Sequence, residues 1–293
     1  MSRFQDKGSK EMILEKIISF YSIPGKEELK TPSTFIGKKL VSQLEQLRKI
    51  DDMEIKFLPG IDAWKDFKET IHKIISGDNL RKVAEIGGGA NPLLSLDFVG
   101  KQKLAYHVID VSPDELSKAD AKYDKIILDL EKDIEISAQY DFIFSQLTIE
   151  HIRNIKTFYT NVYKLLKPGG RACFFFACIT TLPTMSNYIL PDFISRKVLL
   201  FIQPFRKNEK HGKFKAYYKW CFGPTKNNIR RLKDVGFEVL SYTGYFGHSY
   251  YERIPFLNFL EKAKTEFLLK NSNAYLCSYG QILLRRKEQM LTQ

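Results

Sequence analysis

The chain has 293 residues, 44% hydrophobic and 27% charged, with a formal net charge of +12 at pH 7. That composition excludes a disordered chain and leaves room for one large domain or two modest ones. The longest apolar runs, such as Val198 to Ile202, fall far short of the ~18 residues a membrane-spanning helix needs. The four cysteines, Cys173, Cys178, Cys221 and Cys277, form no CxxC pair and no zinc-type spacing. Met1 to Lys7 lacks the apolar core of a signal peptide. A reduced, cytoplasmic protein without a structural metal is therefore expected.

Residues 1 to about 80 read as a helical segment. Ile13, Ile17, Phe20 and Tyr21 make a helical stripe that Pro24-Gly25 ends. A second helix is expected from Thr31-Pro32-Ser33 through Phe35, Leu40, Leu44 and Leu47. A third spans about Asp62 to Ser76, with Trp64, Phe67, Ile71 and Ile74 on one face and Gly77 as its stop.

From residue 82 short apolar runs alternate with helix-length polar segments. The runs are Val83–Ile86, Ala105–Ile109, Lys125–Leu128, Phe142–Phe144, Ala172–Phe176, Phe237–Leu240 and Tyr275–Leu284. Seven strands with helical connections predict an α/β fold with a mostly parallel sheet, helices covering both faces. Residues 179–224 and 247–274 interrupt this scheme as insertions. The expected division is a helical segment over 1–80 and an α/β domain over 81–293.

The chemistry concentrates where strands end. Val83-Ala84-Glu85-Ile86 runs into Gly87-Gly88-Gly89-Ala90-Asn91, with a helix expected to begin at Pro92. Glycines let a ligand approach the backbone, and a helix start offers free N–H groups. Asp110 closes the second run, about 20 residues on, where a carboxylate accepts hydrogen bonds from ribose hydroxyls. Asp129-Leu130 closes the third, where an acid can take an adenine amine and Leu130 can pack near the base. Three acid- or glycine-bearing strand ends in register match the rule for ligand sites in open α/β sheets. Two nucleosides compete here, a nicotinamide dinucleotide and S-adenosylmethionine. The dinucleotide fingerprint G-x-G-x-x-G/A fits badly, since Pro92 stands at its last small position. Glu85, two residues before Gly87, suits a methionine ammonium.

The segment resembles the class I S-adenosylmethionine-dependent methyltransferase family. The resemblance covers about residues 80–178 and 225–285. It rests on Glu85 to Asn91, Asp110, Asp129-Leu130, Tyr140 to Gln146 with Glu150-His151-Ile152, and Leu166-Lys167-Pro168-Gly169-Gly170-Arg171. One departure is Asn91 in place of the third family glycine. The resemblance implies a Rossmann-like fold and S-adenosylmethionine as cofactor. Glu85, Gly87 and Gly89 would hold its methionine end, Asp110 the ribose, Asp129 and Leu130 the adenine. Ser145 and Gln146 would line the cofactor beside the transferred methyl. His151, and His248 in the second insertion, are candidate bases; each also reads as an ordinary structural histidine. His211 is a further candidate in the first insertion, and Tyr217, Tyr218 and Trp220 are candidates for shaping an acceptor pocket.

The charge is not spread evenly. Arg196 to Lys233 holds twelve Lys and Arg residues against Glu209 alone, nearly the whole net charge of the chain. Such a region speaks of partners rather than fold. A small-molecule or lipid-linked acceptor, with phosphate or carboxylate groups, is expected first. Residues 192–207 could touch an anionic membrane peripherally. RNA, a partner protein and a merely solvated cap are the other readings, RNA ranking lower because no separate RNA-binding module is visible. Methyl transfer to oxygen of a glycan, lipid-linked or secondary-metabolite acceptor is the expected activity. An RNA methyltransferase, a non-catalytic cofactor-binding protein and a nicotinamide-dependent oxidoreductase are the alternatives.

Overall fold

The computed structural model describes residues 53–135, 137–189 and 215–288. Eight strands build one sheet in the order β1-β7-β8-β6-β5-β2-β3-β4. They are β1 (Glu54–Pro59), β2 (Lys82–Ile86), β3 (Ala105–Asp110), β4 (Asp124–Ile127), β5 (Tyr140–Gln146), β6 (Leu166–Ala177), β7 (Phe237–Phe246) and β8 (Tyr279–Arg286). β2 to β6 run parallel, and β8 enters antiparallel between β6 and β7. β7 and β1 therefore point the same way as β6. All seven of these strands end at one edge of the sheet. This is the expected Rossmann-like α/β architecture, with one strand more than the sequence announced.

The described helices are α1 (Ala63–Gly77), α2 (Leu96–Gln102), α3 (Pro113–Lys118), α4 (Ile155–Leu165), α5 (Leu182–Ile189), α6 (Lys226–Val235) and α7 (Pro255–Lys270). The extra strand is β1, which pairs with β7 from Glu54↔Ser241 to Pro59↔Phe246. It lies within the stretch read as helical. The chain divides after Asp52 rather than near residue 80, and β1 and α1 belong to the unit Met53–Gln293. The helices expected before residue 50 lie outside the described residues.

The core follows the apolar runs. Phe142, Ile143, Phe144 and Cys173 to Phe176 are fully buried, as strands covered on both faces require. α1 buries Phe67, Ile71, Ile74 and Ile75. Trp64, expected on that face, is 41% exposed, though its ring meets Phe175 and Tyr279 edge-on. Before β6 settles into its pairing, Lys167 to Gly170 loop out: Tyr140 faces Leu166, yet Phe142 already faces Arg171. Pro168-Gly169-Gly170 thus makes a bulge within β6, with Gly169 at φ +77. All four cysteines are buried and unbridged.

Candidate functional site

A cavity of about 390 Å³ opens where β2 and β3 end. It is lined by the Gly87 to Leu93 turn together with Glu85, Asp110, Glu115 and Gln146. The geometry begins with strand register. Glu85 pairs with Val108 and with Phe144, so Glu85, Tyr106 and Asp110 share one face of the sheet. Ile86 pairs with Ser145, which puts Ser145 on the opposite face. Ser145 is fully buried, its Oγ has no hydrogen-bond partner, and it does not line the cavity. The structure thus separates Ser145 from Gln146, which the sequence had set side by side at the methyl group. The cause is the twofold alternation of a strand.

The turn is built for close approach. Gly87 has φ +76 and donates its N–H to Ile109 O at 2.7 Å. A Cβ there would stand 2.1 Å from Thr148 Oγ1. Gly89 has φ +39, and a Cβ there would meet Asp110 Oδ2 at 3.1 Å and Glu115 Cβ at 3.2 Å. A side chain at Gly89 would fill the space between the turn and the Asp110 carboxylate, one at Gly88 would press on Glu85, and one at Gly87 would run into Thr148. The helix does not start at Pro92, as expected. It starts at Leu96, capped by Ser95 Oγ, which accepts from Phe98 N at 3.2 Å. The reason is local: the Leu93 N–H is given to Glu85 Oε2 at 2.9 Å, which holds residues 90–94 in an open turn.

Glu85 is 3% exposed. Burial pushes its carboxyl up to about 7, against hydrogen bonds from the Tyr106 hydroxyl and the Leu93 amide that favour the ionised form. Asp110 is half-buried and also raised, again by burial first. Its Oδ1 accepts from Ser112 N at 2.9 Å. Asp129 and Leu130 follow β4 at the same sheet edge, in the loop after Leu128 N bonds Asp110 O at 3.1 Å. They are not in the cavity lining. Asp129 Oδ1 accepts from Glu131 N at 3.0 Å, its other oxygen lies 3.1 Å from Lys132 Nζ, and Leu130 is buried.

Three contributors were not singled out from sequence. Glu115 enters the lining from the first turn of α3. Its signal was Ser112-Pro113-Asp114-Glu115, a capping-box spacing directly after Asp110. Tyr106, whose hydroxyl bonds Glu85, was marked by sharing the Asp110 face of β3. Thr148 closes over Gly87 because Leu147 turns the chain at φ +52.

The histidines sit apart. His151 ends the short 3-10 turn Ile149–His151 after β5. Its Nδ1 lies 3.1 Å from the Lys215 carbonyl, and burial lowers its pKa. With Nδ1–H given to that carbonyl, Nε2 is the acceptor nitrogen of the ring. Glu150 beside it is 5% exposed, with burial pushing its carboxyl up to about 7. Its backbone carbonyl accepts from Tyr217 N at 2.7 Å and Tyr218 N at 3.0 Å. Residues 150 and 151 therefore hold the start of the 215–222 segment against the cofactor side of the sheet. His248 follows β7, four strand spacings from β2, about 19 Å at ~4.8 Å each. Burial pushes its pKa down to about 4, against the Glu261 carboxylate 3.6 Å away. A ring held neutral to that extent is a poor proton acceptor near pH 7. His211, residues 192–207 and half of the basic stretch lie outside the described residues. Among the described residues, no group of three or more His, Cys, Asp or Glu is placed to hold a metal. No described helix is long and apolar enough to cross a membrane.

Residues 84–172 match the family model described as a methyltransferase domain. Curated relatives include the hybrid PKS-NRPS synthetase gkaA of Penicillium citrinum, 32% identical over 117 residues, and xenE of Xenoacremonium sinensis, 30% identical over 119 residues. The matches cover 35% and 36% of this chain and 3% of each synthetase, so the chain spans a small fraction of those relatives. Among solved structures, phosphoethanolamine N-methyltransferase 2 of Haemonchus contortus with S-adenosyl-L-methionine aligns at TM-score 0.47 and 17% identity, covering 79% of this chain and 54% of that one. An S-adenosylmethionine-dependent methyltransferase from Mesorhizobium loti aligns at 0.45 and 14%, covering 74% and 96%.

Proposed function

We propose that this chain, of which residues 84–172 match a methyltransferase domain, is a class I methyltransferase that uses S-adenosylmethionine to methylate a small-molecule acceptor, with an oxygen as target atom. The observation that carries the reading is the convergence of Glu85, the Gly87–Gly89 turn and Asp110 on one cavity of about 390 Å³. A cavity of that size suits a nucleoside-sized ligand. The cradle fits the cofactor: Gly88 and Gly89 leave open the space that a Cβ would take against two desolvated carboxylates, Glu85 and Asp110. When bound, S-adenosylmethionine supplies a methyl group made electrophilic by its sulfonium.

The residues of the chain bind and align. Glu85, ionised, faces the ammonium of the methionine end, held in place by Tyr106 and Leu93. Asp110 accepts from the two ribose hydroxyls. Asp129, in the loop after β4 at the same sheet edge, would take the adenine amine; Leu130 is buried outside the cavity lining and has no part in holding the base. Gln146 is the polar residue of β5 on the cavity side. Alignment of the acceptor for in-line attack is the main task left to the protein. His151, with Nε2 as its acceptor nitrogen, is the better placed candidate to take a proton from an acceptor hydroxyl; His248 is not. The acceptor side is bordered by Tyr217, Tyr218 and Trp220. Their neighbouring cations favour an acceptor with phosphate or carboxylate groups, lipid-linked ones included. The likeness to stretches of hybrid PKS-NRPS synthetases favours a secondary metabolite over a nucleic acid.

The test is incubation with methyl-labelled S-adenosylmethionine and a cell extract, followed by identification of the labelled product. Label in a small organic molecule is expected. Label in RNA, or no transfer at all, would refute the acceptor assignment. Calorimetric binding of a nicotinamide dinucleotide but not of S-adenosylhomocysteine would refute the cofactor assignment as well.

A further inference from the structure

α7 is apolar on the side that faces away from the sheet. At 100° per residue, Phe256, Phe259, Leu260, Ala263 and Phe267 fall within an arc of roughly 100°. Phe256 is 69% exposed, Phe259 67% and Phe267 63%. The buried residues Glu261 and Leu268 lie on the other side of the helix. Globular helices normally turn charge outward, so an outward stripe of three phenylalanines and a leucine needs a use.

Its position is informative. Mid-helix, Thr265 sits at the end of β7, since a Cβ on Gly247 would meet Thr265 Oγ1 at 2.6 Å. Glu261 approaches His248 at the same place. α7 therefore crosses the sheet edge at which β2, β3 and β5 also end, the edge of the cofactor cavity. α5 leaves that edge too, directly after β6, and exposes Leu182, Met185 and Ile189. Cations accompany the α7 stripe: Lys262 flanks it, Lys270 closes its C-terminal end and Arg253 stands just before the helix, while Lys264 on the other flank pairs with Glu261 at 2.7 Å. Glu266 is the only acid of α7 outside the buried Glu261.

We propose that the outer stripe of α7 seats this protein on an anionic lipid bilayer, with the sheet edge that holds the cofactor cavity turned toward the membrane. The stripe is the convex outside of a helix, with no groove for a peptide, and a second apolar helix face leaves the same edge. A broad flat surface can meet both. Phenylalanine and leucine enter the boundary between headgroups and acyl chains while flanking lysines meet anionic headgroups. A second copy fits less well, because an isologous contact would set the lysine borders of one stripe against those of the other. The proposal is independent of which acceptor is methylated.

The experiment uses the full chain and vesicles of phosphatidylcholine with or without about one-third phosphatidylserine, a composition in the range of anionic membrane leaflets. The native protein is expected to sediment with the anionic vesicles. The triple variant Phe256→Ser, Phe259→Ser, Phe267→Ser should weaken this by about tenfold or more, with its S-adenosylhomocysteine affinity and circular dichroism unchanged. Lys262→Gln with Lys270→Gln should weaken it in a salt-dependent way. Since the four native cysteines are buried, a polarity-sensitive dye on Phe259→Cys should shift to the blue on adding anionic vesicles. Failure of the native chain to sediment, undiminished sedimentation of the triple variant, or an unshifted dye would overturn the proposal. So would a native dimer that the triple variant abolishes without any lipid binding.

Discussion

Asp110 is the side chain on which the cofactor assignment is most exposed to test. Its carboxylate is half-buried and its pKa is raised by burial, so water competes weakly for its lone pairs. Hydrogen bonds from ribose hydroxyls to such an ionised acceptor are worth ~1.5–3 kcal/mol together. Asp110→Ala should therefore raise the dissociation constant of S-adenosylhomocysteine by about 10- to 150-fold. The substitution has a second cost. Asp110 Oδ1 also accepts from Ser112 N at 2.9 Å, immediately before α3, and losing that turn bond should cost the fold about 1 kcal/mol. Asp110→Asn keeps an oxygen for Ser112 but loses the charge, so it should fold like the native chain and still bind the ligand weakly. Titration calorimetry reads affinity, and thermal unfolding without ligand reads the fold. If Asp110→Ala remained folded and bound S-adenosylhomocysteine as tightly as the native protein, the ribose assignment would be wrong.

Three further outcomes follow from the same site. In the free protein burial holds Glu85 at about 7, and an ammonium beside it favours the ionised form. Affinity for S-adenosylhomocysteine should thus rise from pH 6 to 8, with proton release at the lower end detectable by calorimetry in two buffers. Tyr106→Phe removes a donor that favours the carboxylate and should move that rise to higher pH; a flat profile in the native protein would contradict the role of Glu85. Gly87→Ala sets a Cβ 2.1 Å from Thr148 Oγ1 at φ +76, a conformation costing ~1–2 kcal/mol for a non-glycine residue. It should weaken cofactor binding at least tenfold, and Thr148→Ala added to it should recover part of the loss. Finally, the carboxyls of Glu85 and Glu150 are both raised from 4.5 to about 7 by burial. Between those values the native state holds protons that the unfolded chain has released, so stability should fall as pH rises from about 4.5 to 7. Glu150→Gln should flatten that decline in urea unfolding curves; an unchanged slope would mean that Glu150 does not titrate there.

The cofactor half was legible because buried parallel strands read as continuous apolar runs, and because chemistry in such sheets collects at their ends. Glu85, Gly87, Gly89 and Asp110 needed no more than that, Gln146 needed the family resemblance, and the structure brings all five to one cavity. What stayed hidden depended on partners. β1 carries Glu54 and Lys56 on a short edge, and only its pairing with β7 makes it a strand. The face of Ser145 depended on the β2–β5 register, which no pattern within β5 discloses. The open turn before α2 depended on Leu93 giving its amide to Glu85, a contact between a loop and a strand eight residues back.

The acceptor side shows a different kind of organisation. Leu147, Tyr218 and Trp220 have φ of +52, +47 and +57, a region that costs a non-glycine residue ~1 kcal/mol or more. Each is held by its surroundings. Leu147 N bonds Phe175 O at 2.8 Å, Tyr218 N bonds the Glu150 carbonyl, and Trp220 stacks on Tyr159 with ring centroids 5.7 Å apart. The three strained residues follow one seam, from the turn over Gly87, through Glu150 and His151, into the segment that carries the acceptor-side aromatics. Thr148 touches the glycine turn at one end of the seam, and the carbonyls of Glu150 and Lys215 tie down the other. Strain kept in a connected path between the glycine turn and an aromatic wall means that, on the proposed function, the wall is set in place before an acceptor arrives. On the proposed function Glu150 is a positioning residue, since its backbone carbonyl takes the amides of Tyr217 and Tyr218.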